Sequence, residues 1–391
     1  MDNRPANEWP QSEQMLYPSV QRLHSIIRDK SSDREYQQYI NSLKASVLTA
    51  FYTPDQVAAI IGKTIIDCTG EKTRRILEPS AGSGRFLLPF DGNYIKTAYE
   101  KDLLTGLILQ AKSPDVDVRI MGFEHFPEAE LGSYDLAISN IPFGDFSVFD
   151  AGFQKEKNEV KIQSTNKIHN YFFVKALDSV REGGLVAFIT TRGFADSASN
   201  RNIREYLMYN SNLVSATRLP DNLFLNDAGI EVGSDIVILE KCTGKTEVQE
   251  NERLFIESRR EVYLNEDIGS VNSYIFTNLE KTNLGDIGVD TNQFGKKHLS
   301  LNLSPELFGE YLEKHLRADF STRYAITEVQ AEKVQILAND DYKNVLGEEV
   351  VSLYDLLGFS EEERTQVKPV GKKRHHIPTI PVPDSQVKEW N

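Results

Sequence analysis

The stretch Ser139-Asn140-Ile141-Pro142-Phe143-Gly144 brings a side-chain amide oxygen, a backbone carbonyl and an aromatic ring together in a short span. The Asn140 oxygen and the Ile141 carbonyl can both accept hydrogen bonds from one amino group. They would draw its delocalised lone pair toward tetrahedral geometry and stabilise the positive charge that develops. Pro142 stiffens the loop, and the Phe143 ring can stack on a flat heterocycle carrying that amine. The chemistry is attack by a weakly nucleophilic amine on an electrophile held close by, with no strong base needed at the outset. An ordinary strand-end turn is the plain alternative.

An electrophile needs its own cradle. Upstream, Leu77-Glu78-Pro79-Ser80-Ala81-Gly82-Ser83-Gly84-Arg85-Phe86 sits where a predicted strand gives way to a predicted helix, and its glycines let the backbone approach a ligand. The next strand ends at Glu100, where a carboxylate can accept hydrogen bonds from both hydroxyls of a ribose. A dinucleotide would prefer a third glycine where Leu87 stands, and its pyrophosphate would meet Glu78 unfavourably. The ammonium of S-adenosylmethionine would welcome that carboxylate, so the two motifs together suggest methyl transfer to an amino nitrogen. Without Glu100 and the Asn140 loop, the turn could simply tighten a strand-to-helix corner.

The positioning elements emerge from periodicity. Apolar runs at Arg75–Leu77, Tyr94–Tyr99, Val116–Met121, Tyr134–Ser139, Leu185–Thr190, Ser215–Leu219 and Asp235–Glu240 read as strands, several of them separated by helical patterns. The expected fold class is therefore α/β, a doubly wound, mostly parallel seven-stranded Rossmann-like sheet. Tyr36, Tyr39, Ile40, Leu43, Val47 and Leu48 share one face of an N-terminal helix. In Phe51-Tyr52-Thr53-Pro54-Asp55-Gln56, Thr53 is expected to cap a helix, with Pro54 in its first turn and Gln56 completing a capping box. Residues 144–167 lack periodicity and read as a long loop beside the Asn140 motif. Expected boundaries are an N-terminal helical segment at 1–50, the main domain at 51–242, a small appended domain at 243–367 with helices near Leu307–Leu316 and Ile326–Leu337, and a tail or linker at 368–391.

The order of these motifs, with Thr53-Pro54 first, the glycine turn second and Asn-Ile-Pro-Phe third, resembles the gamma class of amino-group DNA methyltransferases. One proline of their (Asn/Asp/Ser)-Pro-Pro-(Tyr/Phe/Trp) loop is replaced by Ile141. The resemblance implies transfer from S-adenosylmethionine to the N6 amine of adenine in DNA, with the base rotated out of the duplex. It assigns catalysis to Asn140, Ile141, Pro142 and Phe143. Cofactor binding falls to Thr53, Glu78, Pro79, Ala81, Gly82, Gly84, Glu100, Glu124 and Phe126, and base stacking to Phe143 and Phe224. For Thr53 the helix cap stays open as a rival role, and His169 reads either as a strand contact or as a core residue. Asn-Ile-Pro-Phe-Gly-Asp-Phe, together with Glu231-Val232-Gly233-Ser234-Asp235, narrows the resemblance to methylases of phages, plasmids and conjugative elements, often joined to a Swi/Snf-type helicase. DNA and a helicase or specificity subunit are the partners this implies.

Composition sets outer bounds. The 391 residues are 40% hydrophobic, enough for one large α/β core and a smaller one. Cys68 and Cys242 lack metal-ligand spacing, so no metal is expected and a reducing compartment, the cytoplasm, fits. No apolar run approaches the roughly 18 residues of a membrane span, and residues 1–14 carry no signal pattern. A formal charge of −14 is unusual for a chain that must grip phosphates, so either basic residues gather on one face or a partner supplies the grip. Two other readings share the motifs: a protein-glutamine or RNA methyltransferase, and a methyltransferase-like module that binds DNA or a partner without catalysis.

Overall fold

A computed structural model describes residues 11–49, 53–70, 73–224, 233–282, 284–291, 295–303 and 305–324. Residues up to 45 belong to one compact unit, and the described residues from 46 onward to another. The first unit carries helix α1 (Gln11–Lys30) and most of α2 (Asp33–Thr49), which contains the predicted Tyr36–Leu48 helix. A reciprocal serine–glutamate pair starts α2. The Ser32 backbone N–H donates to Glu35 Oε2 at 2.8 Å, and the Glu35 N–H donates to Ser32 Oγ at 3.4 Å.

The second unit is built on one seven-stranded sheet. Its strands are β1 (Arg75–Glu78), β2 (Ile95–Tyr99), β3 (Val116–Arg119), β4 (Tyr134–Asn140), β5 (Val180–Thr191), β6 (Ser211–Arg218) and β7 (Ser234–Lys241). They lie in the order β3-β2-β1-β4-β5-β7-β6. β1, β2, β3, β4 and β5 pair in parallel, while β7 runs antiparallel between β5 and β6. All seven predicted strands are present. Strand order reverses between β1 and β4, which opens a crevice at their carboxyl ends, where open α/β sheets bind ligands.

β4 reads as a nearly continuous apolar run because it is central and covered on both faces. Its exception, buried Asp135, accepts hydrogen bonds from the backbone N–H groups of Arg74 and Arg75, both at 2.8 Å, and pairs with Arg181 of β5. That carboxylate ties three strands at the end of the sheet away from the crevice. The helices of this unit are α3 (Asp55–Thr69), α4 (Leu103–Lys112), α5 (Ala151–Glu156), α6 (Glu159–Ser164), α7 (Ile168–Ser179), α8 (Gly193–Asp196), α9 (Arg201–Asn210), α10 (Glu250–Ile256), α11 (Ser273–Thr282) and α12 (Pro305–Arg323).

Several expectations require correction. Residues 144–167 are not one long loop: α5 and α6 form there, capped by Asp150 and Asn158 side chains that accept from Phe153 N–H and from Val160 and Lys161 N–H. These helices are too short for their periodicity to show, and the caps are the only sequence signal. Buried Asp150 also meets Lys175 Nζ at 2.9 Å and Tyr171 O–H at 2.7 Å on α7, a helix buried on nearly every side. β5 starts before the predicted Leu185–Thr190 strand and takes in Gly183 and Gly184, next to an irregularity in its pairing with β4. The stretch after Lys241 is more ordered than its mixed polarity suggests. It forms α10, a hairpin of β8 (Ser258–Tyr263) and β9 (Glu266–Asn272), α11, and a second hairpin of β10 (Asp286–Thr291) and β11 (Lys297–Asn302). α12 contains the predicted Leu307–Leu316 helix, and it packs on α3 and β6 through buried Leu312, Leu316 and Phe320. The expected helix at Ile326–Leu337 and the tail from 368 lie outside the described residues.

Candidate active site

The glycine turn leaves the carboxyl end of β1 through Gly82 and Gly84, whose φ angles of 52° and 76° suit residues without a side chain. A Cβ on Gly84 would also stand 2.6 Å from Leu109 Cδ1. The turn closes on itself by Gly84 N–H donating to the Ala81 carbonyl at 2.8 Å. It is tied to β2 by Ala81 N–H donating to the Tyr99 carbonyl at 2.9 Å. The chain then enters a single 3₁₀ turn, Arg85–Leu87, in place of the expected α-helix. No α-helix N-terminus points at a ligand from this turn, so a phosphate gains little here.

The charges point the other way. Glu78 is buried at the end of β1, and its Oε2 accepts no hydrogen bond among the described residues. Burial, reinforced by the neighbouring Glu100 and only partly opposed by the Phe86 N–H, raises its pKa well above the ordinary value. Glu100 is held just beyond β2 by Gly82 N–H to Oε2 at 2.7 Å and Asp102 N–H to Oε1 at 2.8 Å. Desolvation raises its pKa as well. Two neighbouring desolvated carboxyls with no lysine or arginine partner among the described residues form a site that a cation would complete. Each Glu100 oxygen also retains acceptor capacity after its backbone contact.

Thr53 lies beside this turn. The expected cap is corrected: α3 begins after Pro54, whose carbonyl accepts from Val57 and Ala58 N–H, and no side chain caps it. Thr53 Oγ1 is buried and has no hydrogen-bond partner among the described residues, so no cap accounts for it. Arg85, which no sequence motif singles out, joins the two segments: its Nη1 donates to the Thr53 carbonyl at 2.5 Å, and its Nε pairs with Asp55 at 2.9 Å. Ser83 Oγ in the same turn is another buried, unpartnered oxygen. Orphaned oxygens at Thr53, Glu78 and Ser83 around one glycine turn fit the donor and acceptor set of an amino-acid-bearing nucleoside such as S-adenosylmethionine.

The Asn140 loop is fastened to the same turn. Ser139 Oγ donates to the Ser80 carbonyl at 3.0 Å, fixing the end of β4 against the cofactor side. Asn140 ends β4, in register with Ile189 of β5. Ile141 buries its side chain, and its N–H donates to the Ile189 carbonyl at 3.0 Å, a bond that proline could not make. That bond holds the loop at the position where a proline ring would otherwise restrain it. Phe143 packs edge-on against Phe224, with ring centroids 6.3 Å apart and planes at 90°. Phe224 is fully buried, so it backs Phe143 rather than lying open beside it.

The remaining expected residues divide between the turn, the surface and the core. Pro79 and Ala81 are buried within the turn. Glu124 lies beyond β3 and pairs with Lys101 at 3.0 Å. Phe126 points into an aromatic cluster with Tyr99, Phe123 and Tyr134, at centroid distances of 5.6 to 5.9 Å, which makes it a core residue of the cofactor side. His169 is a core residue too: it is buried, edge-on to Phe194, with its pKa lowered to about 4 chiefly by burial.

Residues 35–285 match the family described as N-6 DNA methylase. Over 197 residues the chain is 27% identical to the defense against restriction protein B of Escherichia phage P1, covering 50% of this chain and 8% of that much longer relative. Among solved structures, it resembles the methyltransferase subunit of a type I restriction-modification system from Streptococcus thermophilus, with 16% identity, a TM-score of 0.42, and 71% of this chain and 60% of that one covered. It also resembles the M protein of the type I restriction enzyme EcoKI, with 12% identity, a TM-score of 0.40, and coverage of 69% and 71%. Among the described residues no helix is long and apolar enough to cross a membrane.

Proposed function

Because the chain belongs to the N-6 DNA methylase family, we propose that it transfers a methyl group from S-adenosylmethionine to the N6 amine of an adenine in DNA. The observation that carries this reading is the junction of two half-sites: the unpaired buried carboxyl of Glu78 beside Glu100, and the Asn140 loop strapped to the same turn by Ser139. S-adenosylmethionine, when bound, supplies a methyl carried on a sulfonium, whose sulfur leaves as a neutral thioether. Glu78 would ionise against the cofactor's ammonium, Thr53 Oγ1 would donate to its carboxylate, and the free acceptor capacity of Glu100 would take the ribose hydroxyls. On the acceptor side, the Asn140 oxygen and the Ile141 carbonyl would accept from the adenine amine and hold its lone pair out of the ring. Phe143, backed by Phe224, would stack on the base once it has left the duplex.

The relative's name supports a role in shielding DNA from restriction. The acidic balance of the chain supports a specificity or helicase partner that adds to its grip on phosphates.

Labelled S-adenosylmethionine offered in parallel with unmethylated plasmid, single-stranded DNA, RNA and release factor tests the reading. The expected result is label in N6-methyladenine, with a rate about 10²–10³-fold lower in Asn140→Ala. Label on glutamine or RNA alone, or an Asn140→Ala protein as fast as the parent, would overturn it. Cofactor binding with no label anywhere would favour a non-catalytic module.

A further inference from the structure

Arg192 comes directly after β5, at the end of the sheet where the Asn140 loop emerges. The sheet order puts β4 between the glycine turn of β1 and this arginine, so Arg192 lies on the far side of the Asn140 loop from the cofactor residues. Its backbone N–H donates to the Gly233 carbonyl at 3.0 Å, and its stem lies so close over Gly233 that a Cβ there would come within 2.5 Å of Arg192 Cδ. The glycine of the Glu-Val-Gly-Ser-Asp motif, which neither half-site uses, thus makes room for a guanidinium.

Among the described residues that guanidinium forms no ion pair, although Asp221, Asp196 and Asp235 lie near enough to act on it. Its side-chain hydrogen bond is a long one, Nη1 to the Leu299 carbonyl at 3.4 Å. The nearby Asp196 and Asp235 are engaged by Arg218, at 2.9 and 2.6 Å. Asp221 makes no ion pair among the described residues; its Oδ2 accepts from Leu301 N–H at 3.4 Å, and burial raises its pKa against the pull of Arg192. Burial, and then Arg218, lower the pKa of Arg192, and Asp221, Asp196 and Asp235 oppose that shift. Beside Leu299, His298 has a buried Nδ1 without a hydrogen-bond partner among the described residues. Its own pKa is lowered, by burial first and then by Arg192, so at neutral pH the imidazole is uncharged and Nδ1 can serve as a neutral donor.

Resting on the methyltransferase reading, we infer that Arg192, with His298, binds a backbone phosphodiester of the strand that carries the target adenine. A phosphate there would pair with the guanidinium directly and would seat the strand on the acceptor side of the Asn140 loop, away from the cofactor.

Binding of a fluorescein-labelled 30-base-pair adenine-containing duplex, measured by anisotropy between about 50 and 200 mM KCl, tests the inference. Arg192→Gln is expected to weaken binding about tenfold at the lowest salt and to flatten the slope of log K against log salt by about one, for every duplex sequence tried. Arg192→Lys should keep most of the slope, and both variants should retain cofactor affinity and melting temperature. An unchanged slope in a folded Arg192→Gln protein, or a loss confined to one sequence, would overturn the phosphate site. Methyl transfer by the wild type is scored separately: a flattened slope in a protein that methylates no DNA would keep the phosphate site and discard the proposed activity.

Discussion

Replacing Glu78 with glutamine tests the cation cradle in two opposite directions at once. In the free protein the Glu78 carboxyl is buried, one oxygen lacks a partner, and Glu100 stands close enough to disfavour its charge. Its folded-state pKa lies above the unfolded one. Its relative contribution to stability is therefore fully present below the unfolded pKa and is lost as pH rises through the raised folded value. Glu78→Gln removes that loss. At pH 8 the ligand-free variant should be more stable than the parent by about 1–3 kcal/mol, the range for an unsatisfied buried group, and the difference should vanish in acid. Cofactor affinity should move the other way. A charge-assisted contact is worth about 1.5–3 kcal/mol, so the variant should bind S-adenosylmethionine roughly 10- to 150-fold more weakly at pH 8. Because the wild type must first ionise Glu78, its affinity should fall by up to about tenfold per pH unit below the raised pKa, a slope absent from the variant. Calorimetry from pH 5.5 to 8.5 in two buffers of different ionisation enthalpy would count the released proton. Thermal melts over the same range would track stability. A wild-type affinity flat across the range, or a variant that binds within twofold of the parent, would refute the reasoning.

The geometry sets three further outcomes. Thr53→Val, which removes the orphaned Oγ1 while keeping the branched shape, should leave the free protein at least as stable and weaken cofactor binding by roughly fivefold to tenfold, whereas Thr53→Ser should bind normally by calorimetry. Arg218→Met strands Asp196 and Asp235 without their counter-ion and should cost about 3–5 kcal/mol in urea unfolding. That deficit should narrow as pH falls toward about 6, the value burial gives the Asp235 carboxyl with Arg218 beside it, because without that cation the carboxyl protonates at higher pH and the stranded charge is removed.

The strands are readable because each is a short apolar run bounded by polar turns, and β4 most clearly because both its faces are covered. The glycine turn and the Asn140 loop are readable because chemistry restricts their residue types. Contact between distant segments escapes such reading. Arg85 holding Thr53, Ser139 strapping Ser80 and Ile141 bonding to Ile189 each join positions whose proximity no local pattern encodes. Residues 144–167 look like a loop because six-residue helices are too brief to display a 3.6-residue period, although Asp150 and Asn158 stand at cap positions. The α-helix expected after Gly84 reflects the habit of nucleotide-binding turns, which Pro89 and Gly92 interrupt here within two turns. Phe126 and Phe224 are aromatic in suggestive places, but sequence does not say which way a ring points.

Ile141 carries a lesson about how a motif can drift. Where the Asn-Pro-Pro pattern it resembles would place a ring, this chain extends the β4–β5 pairing by one more rung and buries a branched side chain. The role proposed for the Ile141 carbonyl depends on its aim, which the bond to Ile189 fixes here. Restoring the proline would remove that rung and leave a void, so consensus repair at this position should damage the protein it is meant to improve. Searches that demand adjacent prolines will also pass over chains that have moved this function from covalent geometry into the sheet.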